Sequence, residues 1–386
     1  MSQKSNRQFD IAVIGAGIAG ASVAHELAAD ARVAVIEMES HPGYHTTGRS
    51  AAVFSEVYGP APIRALTGQS RAFFDNPPEV FGQHALLSPR GVLYAAREDQ
   101  AESLEKLRDS LSGAAGLRMV DEDEARRLSP LLLPGYAVAG LLEEDASDID
   151  VNALHHGYLR GLRQLGGEVI VDCEVQGAER RNGMWVLSTK HGEIHAPIVV
   201  NAAGAWADEL AAKMGAQPAG LVPKRRTALM IAAPDGADPA GWAATVDVDE
   251  QFYLKPDAGR LLISPADETP SAPCDAQPEE MDIAICIDRI QRAFDVDVKR
   301  VENCWAGLRT FVEDHAPVCG YDPSVEGLFW LAGQGGYGIQ SAPGLSQLAA
   351  RMVTGQQMPD GLEDRGFKAA DVSPMRLRRR KATAEN

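Results

Sequence analysis

Apolar positions along the chain fall into two periods, and the change from one to the other marks out the elements. Phe9 to Ile14 and Arg32 to Ile36 are short apolar runs, the pattern of parallel strands buried on both faces. Between them, Ala21 to Ala29 reads as a helix. Pro62 to Phe74 predicts a second helix, closed by Asn76-Pro77-Pro78, since proline cannot continue the hydrogen-bond ladder. A short strand is expected over Gly91 to Ala95 and a charged helix over Glu98 to Leu111, with a loop rich in proline and glycine beyond. Asp150 and Asn152 are candidate caps for a helix reaching about Leu165, with Leu154, Tyr158, Leu162 and Leu165 on one face. His155 and His156 lie in this helix. Neighbouring helical residues point about 100° apart, so the two cannot chelate one metal and are expected as solvated helix histidines. Gly166-Gly167 opens a strand-rich stretch, Glu168 to Val175 and Trp185 to Thr189, which closes on the apolar run from Ile198 into Ala203, Gly204 and Trp206. Residues 264–280 hold four prolines and read as a loop before a helix from Glu279 to Phe294. The last helix is expected over Ser341 to Val353, and no internal repeat is present.

At 386 residues the chain exceeds one ordinary single-core domain. Its 45% hydrophobic and 24% charged content is globular and excludes disorder, collagen and coiled coil. A net charge of −17 repels phosphate backbones and argues against nucleic acid as a partner. The five cysteines (Cys173, Cys274, Cys286, Cys304, Cys319) form no C-x-x-C pair. They read as small core residues in a reducing compartment, with no disulfide framework and no metal site. Ile11 to Ala24 is the longest uncharged apolar run, too short for a bilayer, which needs about 20 apolar residues. The expected location is the cytoplasm. The basic tail Arg376 to Lys381 reads as a frayed, solvated end, or alternatively as an electrostatic tether to a membrane near a quinone acceptor.

Candidate chemistry begins at Gly15, Gly17 and Gly20, a G-x-G-x-x-G turn between the first strand and helix. Glu37 stands at the tip of the second strand, followed by Met38. Strand, glycine turn, helix, strand and acid together are the dinucleotide fingerprint. Gly15 permits the tight turn, Gly17 has no Cβ to block a pyrophosphate, and Gly20 lets helix and strand pack closely. At Ile18 and Ala19 the helix N-terminus offers N–H groups to phosphate. Glu37 can accept hydrogen bonds from a ribose and disfavours a 2′-phosphate. The fingerprint alone does not separate FAD from NAD.

Three later segments add to it: Phe252 to Gly259, Trp305 to Pro317 and Leu331 to Gln340. With the fingerprint they resemble the D-amino-acid oxidase superfamily over essentially the whole chain. Within that superfamily the chain is similar to FAD-dependent D-amino-acid dehydrogenases, D-arginine dehydrogenase among them. The shared phrases include Pro42 to His45, Gly48 to Ala52, Ala72 to Pro78, Leu86 to Arg90, Pro223 to Arg226 and Gly335 to Gln340.

This resemblance implies an α/β (α+β) fold: a Rossmann-like, two-dinucleotide-binding FAD domain with a second, antiparallel-sheet substrate domain. Residues 1–84, 146–220 and 306–386 would form the first, and 85–145 with 221–305 the second. It implies that Gly48, Arg49, Ser50, Ala51 and Ala52 cover the pyrophosphate and ribityl chain, Arg49 neutralising phosphate. Backbone groups of Val175 would hold the adenine. Ala203, Gly204, Trp206, Gly307, Gly333, Gly335, Gly336, Tyr337, Gly338, Ile339 and Gln340 would complete the FAD site. The dipole of the final helix favours negative charge on a reduced flavin. FAD is expected to be non-covalent, since neither Cys304 nor Cys319 falls where related oxidases attach it.

The implied reaction is hydride transfer from substrate Cα to flavin N5, giving an imino acid that hydrolyses to a 2-oxo acid and ammonia. Arg309 and Arg226 are the carboxylate-binding candidates, because a planar guanidinium binds carboxylate bidentately. Tyr253 and Tyr58 would add phenol hydrogen bonds, with Tyr337 and Gln340 near the flavin edge. No obligatory protein base is needed if a cation such as Arg309 lowers the amine's proton affinity. Val53 stands where D-arginine dehydrogenase carries a histidine, and Arg90-Gly91-Val92 offers no carboxylate for a guanidinium. Both departures predict a more apolar pocket, suited to neutral or hydrophobic D-amino acids. Leu262, where secondary-amine oxidases carry a lysine, favours a dehydrogenase. Competing readings are oxidation of an N-methyl amino acid or glycine, oxidation of a 2-hydroxy acid, and a non-catalytic dinucleotide-binding redox sensor. The electron acceptor and oligomeric state stay open.

Overall fold

In the computed structural model, which describes residues 7–111, 113 and 116–378, the apolar runs pair with one another. A six-stranded sheet is ordered Glu168–Ile170, Val33–Ile36, Ile11–Ile14, Ile198–Asn201, Leu328–Ala332 and Val318–Tyr321. Every pair is parallel except the last. The inner strands are buried on both faces, one core filling each side of the sheet. This explains why their sequences run apolar without alternation. After Ile11–Ile14 the chain crosses through helix Ile18–Leu27 to one neighbour, while Ile198–Asn201 flanks the other side. Such a reversal of strand order opens a crevice at the carboxyl ends.

A four-stranded sheet, Arg7–Gln8, Gly192–Ala196, Met184–Thr189 and Val175–Arg181, flanks it. The strand-rich stretch from Glu168 to Val175 therefore feeds two strands, in different sheets. Asp172 breaks them apart in the left-handed region at φ 50°, which a short polar side chain tolerates better than a bulky one.

The largest sheet has nine strands, among them Val92–Ala96, Ala139–Glu143, Val222–Ala232, Ala244–Asp247, Tyr253–Asp257 and Asn303–Phe311. It is antiparallel except where Ala244–Asp247 runs parallel to Val92–Ala96. Helix Glu280–Ala293 covers one face, burying Cys286, Ile290 and Ala293 against Leu229, Leu261 and Ile263. Burying a leucine or isoleucine side chain there contributes about 1.5–3 kcal/mol.

Local signals place several elements. Asp150 caps helix Val151–Gln164 by accepting from the Ala153 N–H at 2.8 Å. The helix expected from Ala21 begins earlier, at Ile18, because Gly17 is already extended before it. His155 is buried while His156 is exposed, so only His156 is a solvated histidine. Among the cysteines Cys274 is exposed, not a core residue. Arg376 and Arg378, at the start of the basic tail, are tied down: Arg376 to Asp314 and the Ala316 carbonyl, Arg378 to Gln217 and Asp322. Residues 379–381 of that tail lie outside the described residues.

Candidate active site

At the carboxyl ends of the parallel strands the glycine turn forms the floor of a long cleft with about 350 Å³ of free volume. Gly15 has φ +101°, and a Cβ there would strike the Ala202 carbonyl, so no other residue fits the turn. Glu37, buried at the end of its strand, accepts from the Ala16 N–H at 2.7 Å and from the Glu39 N–H at 3.0 Å. A carboxylate has about four lone-pair sites, so acceptor capacity remains toward the cleft that Glu37 lines. Thr47 Oγ1 accepts from the Ile18 N–H at 2.9 Å, joining helix start to loop. His155 donates through Nε2 to the Ala16 carbonyl at 2.8 Å. Burial depresses its pKa, more than that hydrogen bond raises it.

The cleft is lined by Gly15, Gly17, Ile18, Ala19, Glu37 and Met38 at one end, and by Gly307, Gly333, Gly335, Gly336, Gly338 and Ile339 at the other. Arg49, Ser50, Ala51, Val175, Ala203, Gly204 and Trp206 lie between. Gly20 and Gly48 sit behind the lining, Gly48 donating its N–H to the Gly43 carbonyl at 2.8 Å. Arg49 has partners within the protein. Its guanidinium bonds the carbonyls of Ala276 (2.8 Å) and Ala306 (2.9 Å) and pairs with Asp275. It straps loops together beside the cleft that it also lines. The Val175 carbonyl accepts from Lys213 Nζ at 3.2 Å. Neither Cys304 nor Cys319 lines the cleft, and burial pushes the Cys319 thiol up to about 12. A slot whose floor tolerates no Cβ, with a helix N-terminus at one end and a ribose-accepting acid beside it, fits FAD.

A smaller pocket of about 120 Å³ adjoins the far end of the cleft. Arg226 and Arg309 reach both cavities from neighbouring antiparallel strands. Arg226 is opposite Gly307 and Lys224 opposite Arg309, the diagonal relation that places two side chains on one face. Arg226 is anchored by the Asp267 carbonyl at 2.9 Å and Glu268 at 3.1 Å. Burial, then Arg309, pull its pKa below the usual value. Arg309 lies deep in the protein yet opens into the cleft. Its nearest polar partner is the Tyr58 hydroxyl, at 3.5 Å from Nη1, and it forms no ion pair among the described residues. Burial works against its charge, but Tyr58, Tyr253 and Glu250 outweigh that and hold its pKa above the usual value. Gly336 lets the chain pass over it, since a Cβ there would lie 2.8 Å from Nη1.

Tyr253 lines both cavities and Tyr58 the smaller one, while Tyr337 packs edge-on behind Tyr58 at 4.8 Å between ring centres. Gln340 ties the wall together: Oε1 accepts from the Ser55 N–H at 3.3 Å and Nε2 donates to Thr67 Oγ1 at 3.1 Å. Ala52, Val53, Val92, Ala244 and Val246 give the pocket an apolar side, but Ser55, Glu250 and Lys255 line it too. It is therefore mixed, not simply apolar. Lys255 and Arg90 share Asp148 at 2.9 and 2.7 Å. Glu250 is held over the mouth at φ +53° by a turn whose Asp247, fully buried, accepts from the Asp249 and Gln251 N–H groups. Thr47, His155, Lys213, Ser55, Glu250 and Lys255 were not legible as site residues. The non-glycine left-handed residues Glu250 and Ala266, both lining the smaller pocket, mark functional loops, and that appears only in the fold.

A model of the DAO family, described as FAD dependent oxidoreductase, matches residues 10–352. The chain is 24% identical over 365 residues to glycine oxidase of Bacillus licheniformis, covering 90% of this chain and 94% of that protein. The crystal structure of glycine oxidase from Geobacillus kaustophilus superposes with a TM-score of 0.83 at 24% identity, over 95% of this chain and 98% of that one. That of L-proline dehydrogenase from P. horikoshii gives 0.81 at 20% identity, over 97% and 99%. At these identities the structural likenesses speak for the fold.

Proposed function

The chain belongs to the DAO family of FAD-dependent oxidoreductases, and from that premise we propose that it deaminates neutral or hydrophobic D-amino acids oxidatively to 2-oxo acids and ammonia. Electrons then leave to an acceptor other than oxygen. The observation that carries this reading is Arg309, a guanidinium deep in the protein that opens on the cleft with no carboxylate partner among the described residues. A buried cation left unpaired is costly, and a substrate carboxylate would supply the missing charge through two parallel N–H···O bonds.

Bound FAD supplies the hydride acceptor. The residues do the rest. Arg309 and Arg226 grip the carboxylate from one side, and Tyr58 and Tyr253 close over it. Gln340 fixes the Ser55 and Tyr58 backbone, so the reacting carbon is held in one orientation. The apolar wall of Val53, Val92 and Val246 excludes water from the side chain's end. Residues 1–84, 146–220 and 306–386 would carry the cofactor, and 85–145 with 221–305 the substrate wall. Leu262, buried and without charge, supports a dehydrogenase.

A second reading is favoured by the whole-length likeness to a glycine oxidase: glycine or an N-methyl amino acid would meet the same arginines. The test is anaerobic addition of single D- and L-amino acids, glycine, sarcosine and 2-hydroxy acids to the yellow holoenzyme. Bleaching by neutral D-amino acids and not by their L-enantiomers is expected. Bleaching by glycine or sarcosine alone would move the assignment there, and no bleaching by any amine would overturn both readings.

A further inference from the structure

Behind the wall of the substrate pocket lies a carboxyl group that neither the cleft nor the two arginines use. Glu143 ends strand Ala139–Glu143, directly opposite Val92 on the paired strand, and is only 3% exposed. Among the described residues it has no cationic partner. Its Oε2 accepts from the Ser55 hydroxyl at 2.7 Å, and its Oε1 accepts from the Glu56 N–H at 3.1 Å. Ser55 lines the pocket beside Val53, Tyr58 and Gln340. A hydroxyl has one proton and two lone pairs. With its proton on Glu143, Ser55 has lone pairs left to accept an N–H from a bound ligand. Burial holds the Glu143 carboxyl up at about 7, so both protonation states are within reach near neutrality.

We propose that Ser55 and Glu143 form a proton relay that takes the proton from the substrate's ammonium group before the hydride leaves Cα. The proposal rests on the amine-oxidising reading above. It fills a gap there, because the arginines hold the carboxylate but give the amine's proton no destination. In the transfer an N–H bond of the ammonium breaks and Ser55 Oγ gains that proton. Ser55 passes its own proton to Glu143 Oε2, leaving a neutral amine and a neutral carboxylic acid. No electrons move in this step. Ser55 touches the substrate, and Glu143 acts through it.

The charged and titratable groups around Glu143 are few. Glu56, whose carboxylate pairs with Arg71 at 2.8 Å, adds negative charge and favours proton uptake. Tyr94, on the paired strand, bonds Ser55 and is kept neutral by its burial. Across the pocket stand Tyr58, Glu250 and Lys255, the last neutralised by Asp148. On the outer side Glu144 pairs with Arg118.

The test uses holoenzyme and the amino acid that bleaches it best, mixed rapidly without oxygen between pH 5.5 and 10. The wild-type bleaching rate is expected to rise through about pH 7 and level off. Glu143→Gln and Ser55→Ala should each lose about 10²-fold at pH 7.5, within the range of a proton-transfer contribution. They should regain rate only as pH nears the free amine's own ionisation, while Ser55→Thr keeps the wild-type profile. An analogue of the same shape, fluorinated beside Cα to make its amine weakly basic, should erase most of the deficit. Flavin content and melting temperature confirm that each variant is folded. A wild-type profile in Glu143→Gln, or the same deficit with both substrates, overturns the relay while leaving amine oxidation intact. A wild-type enzyme bleached by no amine overturns the reading beneath it.

Discussion

The two cavities meet at Arg226, Tyr253 and Arg309, yet they are built by opposite means. The nucleotide end of the cleft is backbone shaped by glycine, and its supports come from close by in sequence. Ala16 meets Glu37 across 21 positions and Ile18 meets Thr47 across 29. The substrate pocket is made of side chains brought from distant strands. Ser55 meets Glu143 across 88 positions and Tyr58 meets Arg309 across 251. A cavity of the first kind is written in residue spacing, because the constraint is a forbidden Cβ. One of the second kind is written in sheet register, which no local pattern carries.

The sharpest way to break the comparison is to put a side chain into the backbone cavity. Gly15→Val combines φ +101° with a collision against the Ala202 carbonyl. The expected outcome is a chain that purifies colourless, read by the absence of flavin absorbance alongside a circular dichroism spectrum that reports remaining structure. In the side-chain cavity the largest expected loss is smaller. Arg309→Leu should retain FAD but lower kcat/KM by about 10²–10³-fold, in line with about 2–5 kcal/mol for one partner of a buried charge pair. Arg309→Lys should fall between, since a point charge cannot grip carboxylate in two places. Steady-state kinetics on yellow protein decide it, and colourless Arg309→Leu protein would place Arg309 in cofactor binding instead.

The same contrast explains how much was legible in advance. Four of the apolar runs of the six-stranded sheet, the glycine turn and Glu37 could be read because each is a local pattern with one physical cause; Leu328–Ala332 and Val318–Tyr321 were not read as strands. The large sheet was expected as antiparallel, and only the parallel pairing of Ala244–Asp247 with Val92–Ala96 departs from that. Errors came where a distant partner decides the outcome. His155 looks solvated until the glycine turn supplies the Ala16 carbonyl. Arg49 reads from its loop alone, with no sign of the partners that residues 275–276 and 306 bring to its guanidinium. Val92 suggests a pocket without an acid, but Glu250 lines it from a turn more than 150 residues away. Within Glu168 to Val175, composition does not reveal the left-handed break at Asp172.

His155 sharpens the comparison, being a side chain that serves the backbone cavity. His155→Ala removes a buried hydrogen bond to Ala16 and should cost about 1–2 kcal/mol, read as a lower melting temperature and weaker FAD retention. Its pH dependence has a definite sign. Burial lowers the folded-state pKa below the ordinary 6.5, so the unfolded chain binds the proton more readily. The contribution of neutral His155 is complete above about pH 6.5 and is lost as pH falls toward the folded value. The melting-temperature gap between wild type and His155→Gln, which does not titrate, should therefore shrink from pH 8 to pH 5. Glu26 and Glu143, both raised to about 7 by burial, drift the other way, but they are common to both proteins and cancel in the difference. A gap constant with pH would mean that folding leaves the His155 pKa where it is in the unfolded chain.

The smallest expected effect belongs to the residue that stands between the two modes of construction. If Arg49 straps loops, its value lies in Asp275 and the two carbonyls, so Arg49→Gln, which loses all three, should cost at least as much stability as Asp275→Asn, which loses only the ion pair. Arg49→Gln and Asp275→Asn are each expected to lower stability by about 0.5–1 kcal/mol, the scale of a pair left partly in solvent. The double variant should cost little more than Arg49→Gln alone, since that substitution already breaks the ion pair. FAD affinity should move by less than about threefold in Asp275→Asn and in Arg49→Gln alike. If Arg49 instead neutralised a phosphate, Arg49→Gln would cut FAD affinity more than about tenfold while Asp275→Asn left it unchanged. Thermal melting of the four proteins, with FAD titrated into their apo forms, separates the two because only a phosphate contact makes Arg49→Gln weaken FAD where Asp275→Asn does not.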